Sequence, residues 1–303
     1  MILSTEFRTL RPQPDDIQAV LALMNACDVA EYGEPDTDLE DIQYEWEKSD
    51  LNKDVWLIHH ETNDLAGYAL VFEMETLFQV NVYVHPDYRG HGLNDYLLSQ
   101  CLTRIQQRQA AALKPVRAYV AAVNQDDCRA AEQAGFTINK YHFRMQIEMT
   151  APPAPAQFPA GSVLRSMQPG QDDQALYGFI KMAFDSAEWP FPNFDDWSGY
   201  MMRPDHFRPD LWYLLWHEAE IVGAALCFDY DLYGWVRHLA VAPGWRRQGI
   251  AANLLRYVFD VFYQRGQPRI GLGVQADNLG AVALYERVGM KRVRQYNEYQ
   301  KYE

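Results

Sequence analysis

The stretch Leu239-Ala-Val-Ala-Pro-Gly-Trp-Arg-Arg-Gln-Gly-Ile-Ala251 carries an apolar strand through a short turn into a helix. Pro243 ends the strand, since it has no N–H to give a ladder. The apolar positions beyond it, Leu254, Leu255, Val258 and Phe262, recur on one helical face. The first N–H groups of such a helix lack intrahelical partners, so the turn is a ready anion site. Gly249 and Ala251 keep bulk away from the main chain, while Arg246 and Arg247 put positive charge into a chain of net charge -14. Taken alone, the same turn is equally an ordinary connection with solvated arginines, so its meaning depends on what surrounds it.

Upstream, Trp212-Tyr-Leu-Leu-Trp216 and Ile221-Val-Gly-Ala-Ala-Leu-Cys-Phe228 read as a β-hairpin turning through His217-Glu-Ala-Glu220, followed by the strand Gly234–Val241. Downstream, the helix runs from about Gly249 to Arg265, then a strand Ile270–Val274 and a short helix from about Ala281 to Val288. A short strand and a helix opened by Asp172-Asp173 come first, since carboxylates favour a helix N-terminus. This order predicts an α/β fold, a mixed and mostly antiparallel twisted sheet flanked by helices.

The same order occurs twice. Asp15-Asp16 matches Asp172-Asp173 and Cys27-Asp28 matches Phe184-Asp185 at an offset of 157; Asp54-Val-Trp56 matches Asp210-Leu-Trp212 and Gly67-Tyr-Ala-Leu70 matches Gly223-Ala-Ala-Leu226 at 156. Val84-His-Pro86 then matches Val241-Ala-Pro243, with Arg89 and Gly92 opposite Arg246 and Gly249, at 157 again. An ordered series holding register over most of each half indicates duplication. Ala151-Pro-Pro-Ala-Pro-Ala-Gln-Phe-Pro-Ala-Gly161, with four prolines, reads as an extended connector. The expected domains are therefore 1–150 and 162–303.

Composition narrows the function classes. The 303 residues are 48% hydrophobic with mean hydropathy -0.36, enough for two cores and too polar for a membrane protein. No apolar run approaches the roughly 18 residues that span a bilayer, and Met1–Glu6 has no leader character, so a cytoplasmic location is expected. With 27 basic against 41 acidic residues, sequence-independent binding to nucleic acid or anionic lipid is not expected. Cys27, Cys101, Cys128 and Cys227 are scattered in apolar segments without ligand spacing, so buried reduced thiols and no metal are expected. Neither half carries the Gly-x-Gly-x-x-Gly signature of a dinucleotide-binding oxidoreductase.

Asn278 and Tyr285 stand seven residues apart, on one face of a helix that Asn278 can cap. The Tyr285 hydroxyl can protonate a departing thiolate, or it can be an ordinary half-buried phenol. Taken together, Leu239–Ala251 and Asn278-Leu-Gly-Ala-Val-Ala-Leu-Tyr-Glu-Arg-Val-Gly-Met290 resemble the GNAT superfamily of N-acetyltransferases over both halves. The resemblance implies acetyl-CoA as acyl donor, its pyrophosphate cradled by Arg246, Arg247, Gln248, Gly249, Ile250 and Ala251, and its pantetheine arm along the Leu239, Ala240 and Val241 segment. It also implies that Asn278 contacts the cofactor, that Tyr285 is the general acid, and that acetyl passes directly to a small-molecule amine.

The first copy departs at two places. Its turn, Arg89-Gly-His-Gly92-Leu-Asn94, puts Asn94 opposite Ala251, where a side chain is expected to project into the phosphate position. Ala131 stands where the second copy has Tyr285, while Asn124 keeps the place of Asn278. The first domain is therefore expected to be non-catalytic.

An amine with a pKa near 10 arrives protonated, so attack on a thioester needs a proton acceptor. Many GNAT relatives carry a carboxylate on the central strand, yet Trp235, Val236, Arg237 and His238 supply none. His238 is the nearest titratable candidate, with Asp229, Asp231 and Glu298 as alternatives. Trp189-Pro-Phe191-Pro-Asn-Phe194, with Trp235 and Asp229, is a candidate acceptor wall, although Phe191, Phe194 and Trp197 can equally be core. A monomer or homodimer is expected. The alternative function is a non-catalytic acyl-CoA sensor or scaffold.

Overall fold

Two hairpins at corresponding places in the sequence carry the same irregularity. In the computed structural model, which describes residues 3–108, 114–186, 190–203, 207–230 and 233–302, strands β2 (Val55–His60) and β3 (Leu65–Glu73) pair antiparallel with a register shift between Ile58 and His59. Strands β8 (Trp212–His217) and β9 (Glu220–Asp229) shift between Leu215 and Trp216, 157 positions on from Ile58. A β-bulge is a specific backbone feature, so its recurrence supports the duplication.

The chain divides into two compact units, Met1–His142 with Arg294–Glu303, and Phe143–Val293. Unit 1 runs β1 (Phe7–Leu10), α1 (Ile17–Tyr32), α2 (Leu39–Glu47), α3 (Leu51–Asp54), β2, β3, β4 (Phe78–Val84), α4 (Leu93–Arg108), β5 (Val116–Ala121) and α5 (Gln125–Gln133). Strand β6 (Thr137–Glu148) leads into unit 2, which continues with β7 (Ser162–Ser166), α6 (Asp173–Phe184), α7 (Phe194–Met201), β8, β9, β10 (Gly234–Val241), α8 (Ile250–Gln264), β11 (Arg269–Gln275) and α9 (Leu279–Arg287). The closing strand, β12 (Lys291–Lys301), belongs mostly to unit 1.

The strand order in unit 1 is β1-β2-β3-β4-β5-β12, and in unit 2 it is β6-β11-β10-β9-β8-β7. Strand β12 pairs antiparallel with β5 from Tyr296↔Ala121 to Lys301↔Val116. Residues Tyr296 to Lys301 thus complete the sheet of the first unit, and unit 2 starts at Phe143. This differs from the boundary expected at 151–161. A period-two strand declares which of its faces is apolar, but not which sheet edge it joins. The connector itself has no regular structure over 152–159, and Phe158 packs against the core of unit 2.

Each unit buries helices on both faces of its sheet. In unit 1, Leu97, Cys101 and Ile105 of α4 pack with Ile58 and Val71, while Val20 and Leu23 of α1 and Ile42 and Trp46 of α2 pack with Leu57 and Leu70. In unit 2, Leu254, Leu255, Val258 and Phe262 of α8 cover one face, and Leu176 and Ile180 of α6 with Trp197 of α7 cover the other. Burying a side chain such as Phe262 contributes about 2 kcal/mol. Its ring lies so close to Gly234 that a Cβ there would sit 2.7 Å from it. All four cysteines are buried and unpaired. Among the described residues, no helix is long and apolar enough to cross a membrane.

Candidate active site

Strand β10 holds one residue more than β4 (eight against seven), and the ladders locate it. Glu73 pairs with Phe78 and Asp229 with Gly234, both at offset 156, whereas Val84 and Val241 stand at 157 opposite Gly67 and Gly223. The additional residue is Arg237, at the register shift between Val236↔Cys227 and His238↔Leu226; the β3–β4 ladder has none. The step from 156 to 157 was the sequence signal for this bulge.

Beyond the bulge, β10 leaves its neighbour. Its parallel pairing with β11 covers only Gly234↔Ile270 and Trp235↔Gly271. Pairing with β9 continues to the strand end, and the Ala242 N–H donates to the Val222 carbonyl at 2.9 Å. Ladder groups alternate in direction, so Ala240 faces β9, while the main-chain groups of Leu239 and Val241 face the opened side. The Val241 carbonyl accepts from Arg246 Nε at 3.1 Å, as that direction requires. Ala240, expected with its neighbours along the cofactor arm, instead spends its backbone on β9 and its side chain in the core.

The turn after β10 delivers a helix start open to anions. Gly249 precedes α8 at φ 80°, with no side-chain cap on the helix, and Arg247 also takes a positive φ of 66°. Arg246, Arg247, Gln248 and Gly249 are exposed, whereas Ile250 turns its side chain into the core, 2% exposed. Asn278, by contrast, caps α9 through its own amide oxygen to the Ala281 N–H at 3.2 Å. An uncapped helix start, two arginines and an unpaired strand edge fit a diphosphate carried on an extended arm.

Tyr285 lies on α9 with its ring in the α8 core, 9% exposed, and burial pushes its phenol up to about 12. His238 follows the bulge, half-buried, with Phe184 at 5.0 Å and Phe191 at 6.4 Å between ring centroids. Burial, and then the Arg237 charge, holds its imidazole down at about 3, and Nδ1 has no hydrogen-bond partner.

The other candidates scatter. Phe194 packs on Tyr177 and near Trp197, within the α6–α7 core. Trp235 lies under the Arg144 guanidinium, 4.9 Å away, and beside Tyr233. Asp229 is exposed at the end of β9, and Trp189 and Asp231 lie outside the described residues. Glu298 is not a group of this site. It belongs to unit 1, fully buried, with Asn139 at 2.6 Å, His142 at 2.8 Å and Tyr119 at 3.2 Å.

The corresponding turn of unit 1 is filled from within. Arg89 is paired with Glu31 at 2.7 Å, and Asn124 Nδ2 donates to Glu31 at 2.6 Å and to Asp127 at 2.9 Å. Asn94 does not project into the mouth of the turn as expected; it is 9% exposed and donates to Asp127 at 2.5 Å. In unit 2 the same two positions, Ala251 and Ala281, are both small. The Asn94–Asp127 pair was invisible in sequence because its members are far apart and each is an unremarkable polar residue near a helix start.

The profile of the acetyltransferase (GNAT) family matches the chain twice, at residues 17–136 and 176–290. The chain is similar to the mycothiol acetyltransferase of Thermobispora bispora, 28% identical over 298 residues with 93% of this chain and 95% of that protein covered. It is likewise similar to that of Salinispora arenicola, 27% identical with 97% and 96% covered. Among solved structures, a GCN5-related N-acetyltransferase from Sphaerobacter thermophilus superposes at TM-score 0.86 with 32% identity, covering 99% of this chain and 97% of that one. A tandem GNAT protein from the clavulanic acid biosynthesis pathway shares the fold at TM-score 0.73 and 13% identity, with 98% of each chain covered. Both matched segments lie inside the two copies read from the sequence, and the sensor alternative gives way to an enzyme. The chain belongs to the GNAT family as a tandem acyltransferase, with acetyl-CoA as its acyl donor.

Proposed function

We propose that unit 2 alone is catalytic and passes acetyl directly to the amine of a small molecule. The observation that carries this reading is the succession of an unpaired β10 edge and an uncapped α8 on one stretch of chain. A diphosphate held at the helix start sets its arm along Leu239 and Val241. Unit 1 repeats neither the bulge nor the small residues that leave the turn open. The printed name of the full-length relatives, mycothiol acetyltransferase, supports a small-molecule acceptor.

Acetyl-CoA supplies the thioester. Arg246 and Arg247 and the main chain from Gly249 to Ala251 hold the diphosphate, and Asn278 lies beside it at the start of α9. Tyr285 is neutral throughout the physiological range, because its phenol titrates only near 12, and it donates to the departing sulfur. On the way from ammonium to amide the amine loses two protons: one leaves to solvent before binding, and the other, lost after attack, restores the Tyr285 hydroxyl. His238, at about 3, is too weak a base to take a proton from an ammonium of pKa about 10. The amine therefore arrives already neutral, and His238 walls its position together with Phe184 and Phe191 without taking the proton.

A panel of primary amines incubated with acetyl-CoA, read by release of free thiol, tests this. At least one amine is expected to accelerate release, and Tyr285→Phe to lower kcat by about 100-fold, the usual worth of a positioned acid. No acceleration by any amine, or an unchanged Tyr285→Phe rate, contradicts it.

A further inference from the structure

Strand β11 has a bare side. Ile270, Leu272 and Val274 point into the α8 core, so Gly271 and Gly273 share the opposite face, on which Trp235 packs with the α6–α7 core. Gly271 is buried under the indole: a Cβ there would lie 2.9 Å from Cζ3 of Trp235. Gly273 is exposed in mid-strand, and among the described residues a Cβ there would meet only Cζ2 of Trp235, at 3.8 Å. Strands β10 and β11 pair no further than Trp235↔Gly271. In the register that this pair begins, the uncovered glycine stands across the opening from the bulge and His238.

Unit 1 shows what such a face otherwise carries. Its parallel ladder starts at Phe78↔Val116 and that of unit 2 at Gly234↔Ile270, which sets Val116 against Ile270 at offset 154, the offset that also joins Asn124 to Asn278. Gly271 and Gly273 therefore stand in the places of Arg117 and Tyr119. In unit 1 the Tyr119 ring occupies its place, edge-on to His142 at 5.4 Å between centroids, with its hydroxyl donating to Glu298 at 3.2 Å. Unit 2 lacks that phenol ring and has an indole edge beside the gap. The backbone does not call for the glycine: Gly273 is not among the residues of positive φ, and its Cβ would fit at ordinary contact distance. A glycine weakens a strand interior, and one that no turn or clash demands marks a place where something else comes close to the main chain.

We infer that Gly273 sets which acceptors unit 2 admits: the amine is carried on an aromatic ring that lies on β11 at Gly273, in the place that the Tyr119 ring fills in unit 1. This rests on the reading of unit 2 as the acetylating unit. The ring meets the Cζ2 edge of Trp235, a contact of the kind aromatic pairs favour, and the amine reaches into the opening between β10 and β11, along which Leu239 and Val241 lead the donor arm. An amine without a ring leaves the gap to water and buries less apolar surface.

The test follows the eight indole N–H signals of the full chain by 15N NMR at pH 9, with CoA present, while benzylamine is added; Trp235→Phe identifies the Trp235 signal. A saturable shift of that signal is expected, with an affinity at least tenfold above that of n-propylamine. Gly273→Tyr, which fills the gap from the backbone, is expected to weaken benzylamine at least tenfold and Gly273→Ala to weaken it less, with the protection of amides 247–252 by CoA kept in both. The proposal is overturned if benzylamine gives no saturable shift, if n-propylamine binds as well, if Gly273→Tyr leaves the affinity unchanged, or if that variant loses the CoA protection too. Should Gly273→Tyr fail to fold, the n-propylamine comparison and Gly273→Ala decide. The shift is read without turnover. Benzylamine binding at Gly273 in a protein that acetylates no amine would remove the proposed reaction and keep this site, whereas amine-dependent thiol release with the Trp235 signal unmoved would keep the reaction and remove the site.

Discussion

Tyr285 and His238 are both held in their uncharged forms by burial, and that sets how the reaction responds to pH. With the imidazole down at about 3 and the phenol up at about 12, neither group changes charge between pH 5 and 10. The free amine is then the only titrating reactant. kcat/KM is expected to rise tenfold per pH unit until the amine's own pKa, with no falling limb below pH 10; initial rates from pH 6 to 10 check this, and a bell centred near neutrality contradicts it. Ala251→Asn puts into unit 2 the residue that stands at Asn94 in unit 1. It is expected to raise KM for acetyl-CoA about tenfold, a loss of about 1.4 kcal/mol of binding, with kcat changed less. The spacing of Asn278 and Tyr285 was legible in the sequence, and so was the lack of a carboxylate among Trp235, Val236, Arg237 and His238. The depth of each side chain was not, because a lone Tyr or His follows no period that distinguishes a lined cleft from a packed core.

At the scale of single elements, the bulge in β10 distinguishes the two copies. Deleting Arg237 would give β10 the uninterrupted register of β4. Residues beyond the bulge keep their β9 partners, so the variant is expected to fold, with a Tm within about 5 °C of wild type, the shift of about 1 kcal/mol in a unit of this size. Its kcat/KM is expected to fall by at least 100-fold, because the deletion removes the local kink that aims His238 and the Leu239 and Val241 edge; parting from the parallel neighbour does not itself need the bulge, since β4 parts from β5 without one. Circular dichroism and thiol release separate the two effects, and retained activity would remove the bulge from the account. Strand and helix limits in unit 2 were largely legible: Gly234–Val241 was read as observed, and α8 falls within a residue of each expected end. Proline stops, apolar periodicity and a terminal glycine are local signals. The bulge was recorded only as a one-position step in the repeat offset, which becomes interpretable once the ladders on either side are known.

At the scale of the whole molecule, the unit boundaries were the least legible feature. Proline content marks where the chain runs extended, at 151–161, but the membership of β12 in unit 1 depends on pairing between residues nearly 180 positions apart. Glu298 shows what that strand brings. It is fully buried, with Arg117 at 3.5 Å and hydrogen bonds from His142 and Asn139. Burial alone would raise its carboxyl, yet those partners bring it down to about 2. A folded-state value below the ordinary carboxylate one stabilises the fold above that ordinary value, and the contribution fades as pH falls from about 4.5 towards 2. Glu298→Gln is expected to cost about 3 kcal/mol, since Arg117 loses its buried counter-charge; urea unfolding at pH 7 measures it, and a loss under about 1 kcal/mol would contradict the assignment. A fragment of residues 1–150 lacks β12 and is expected not to reach the protected core of unit 1, which amide exchange would show. The measurement that bears most directly on where the enzyme works is amide hydrogen exchange of the full chain with and without acetyl-CoA. Slower exchange over residues 247–252, with residues 89–94 unchanged, is the expected result; protection appearing at 89–94 instead would place donor binding in the wrong unit and contradict the account.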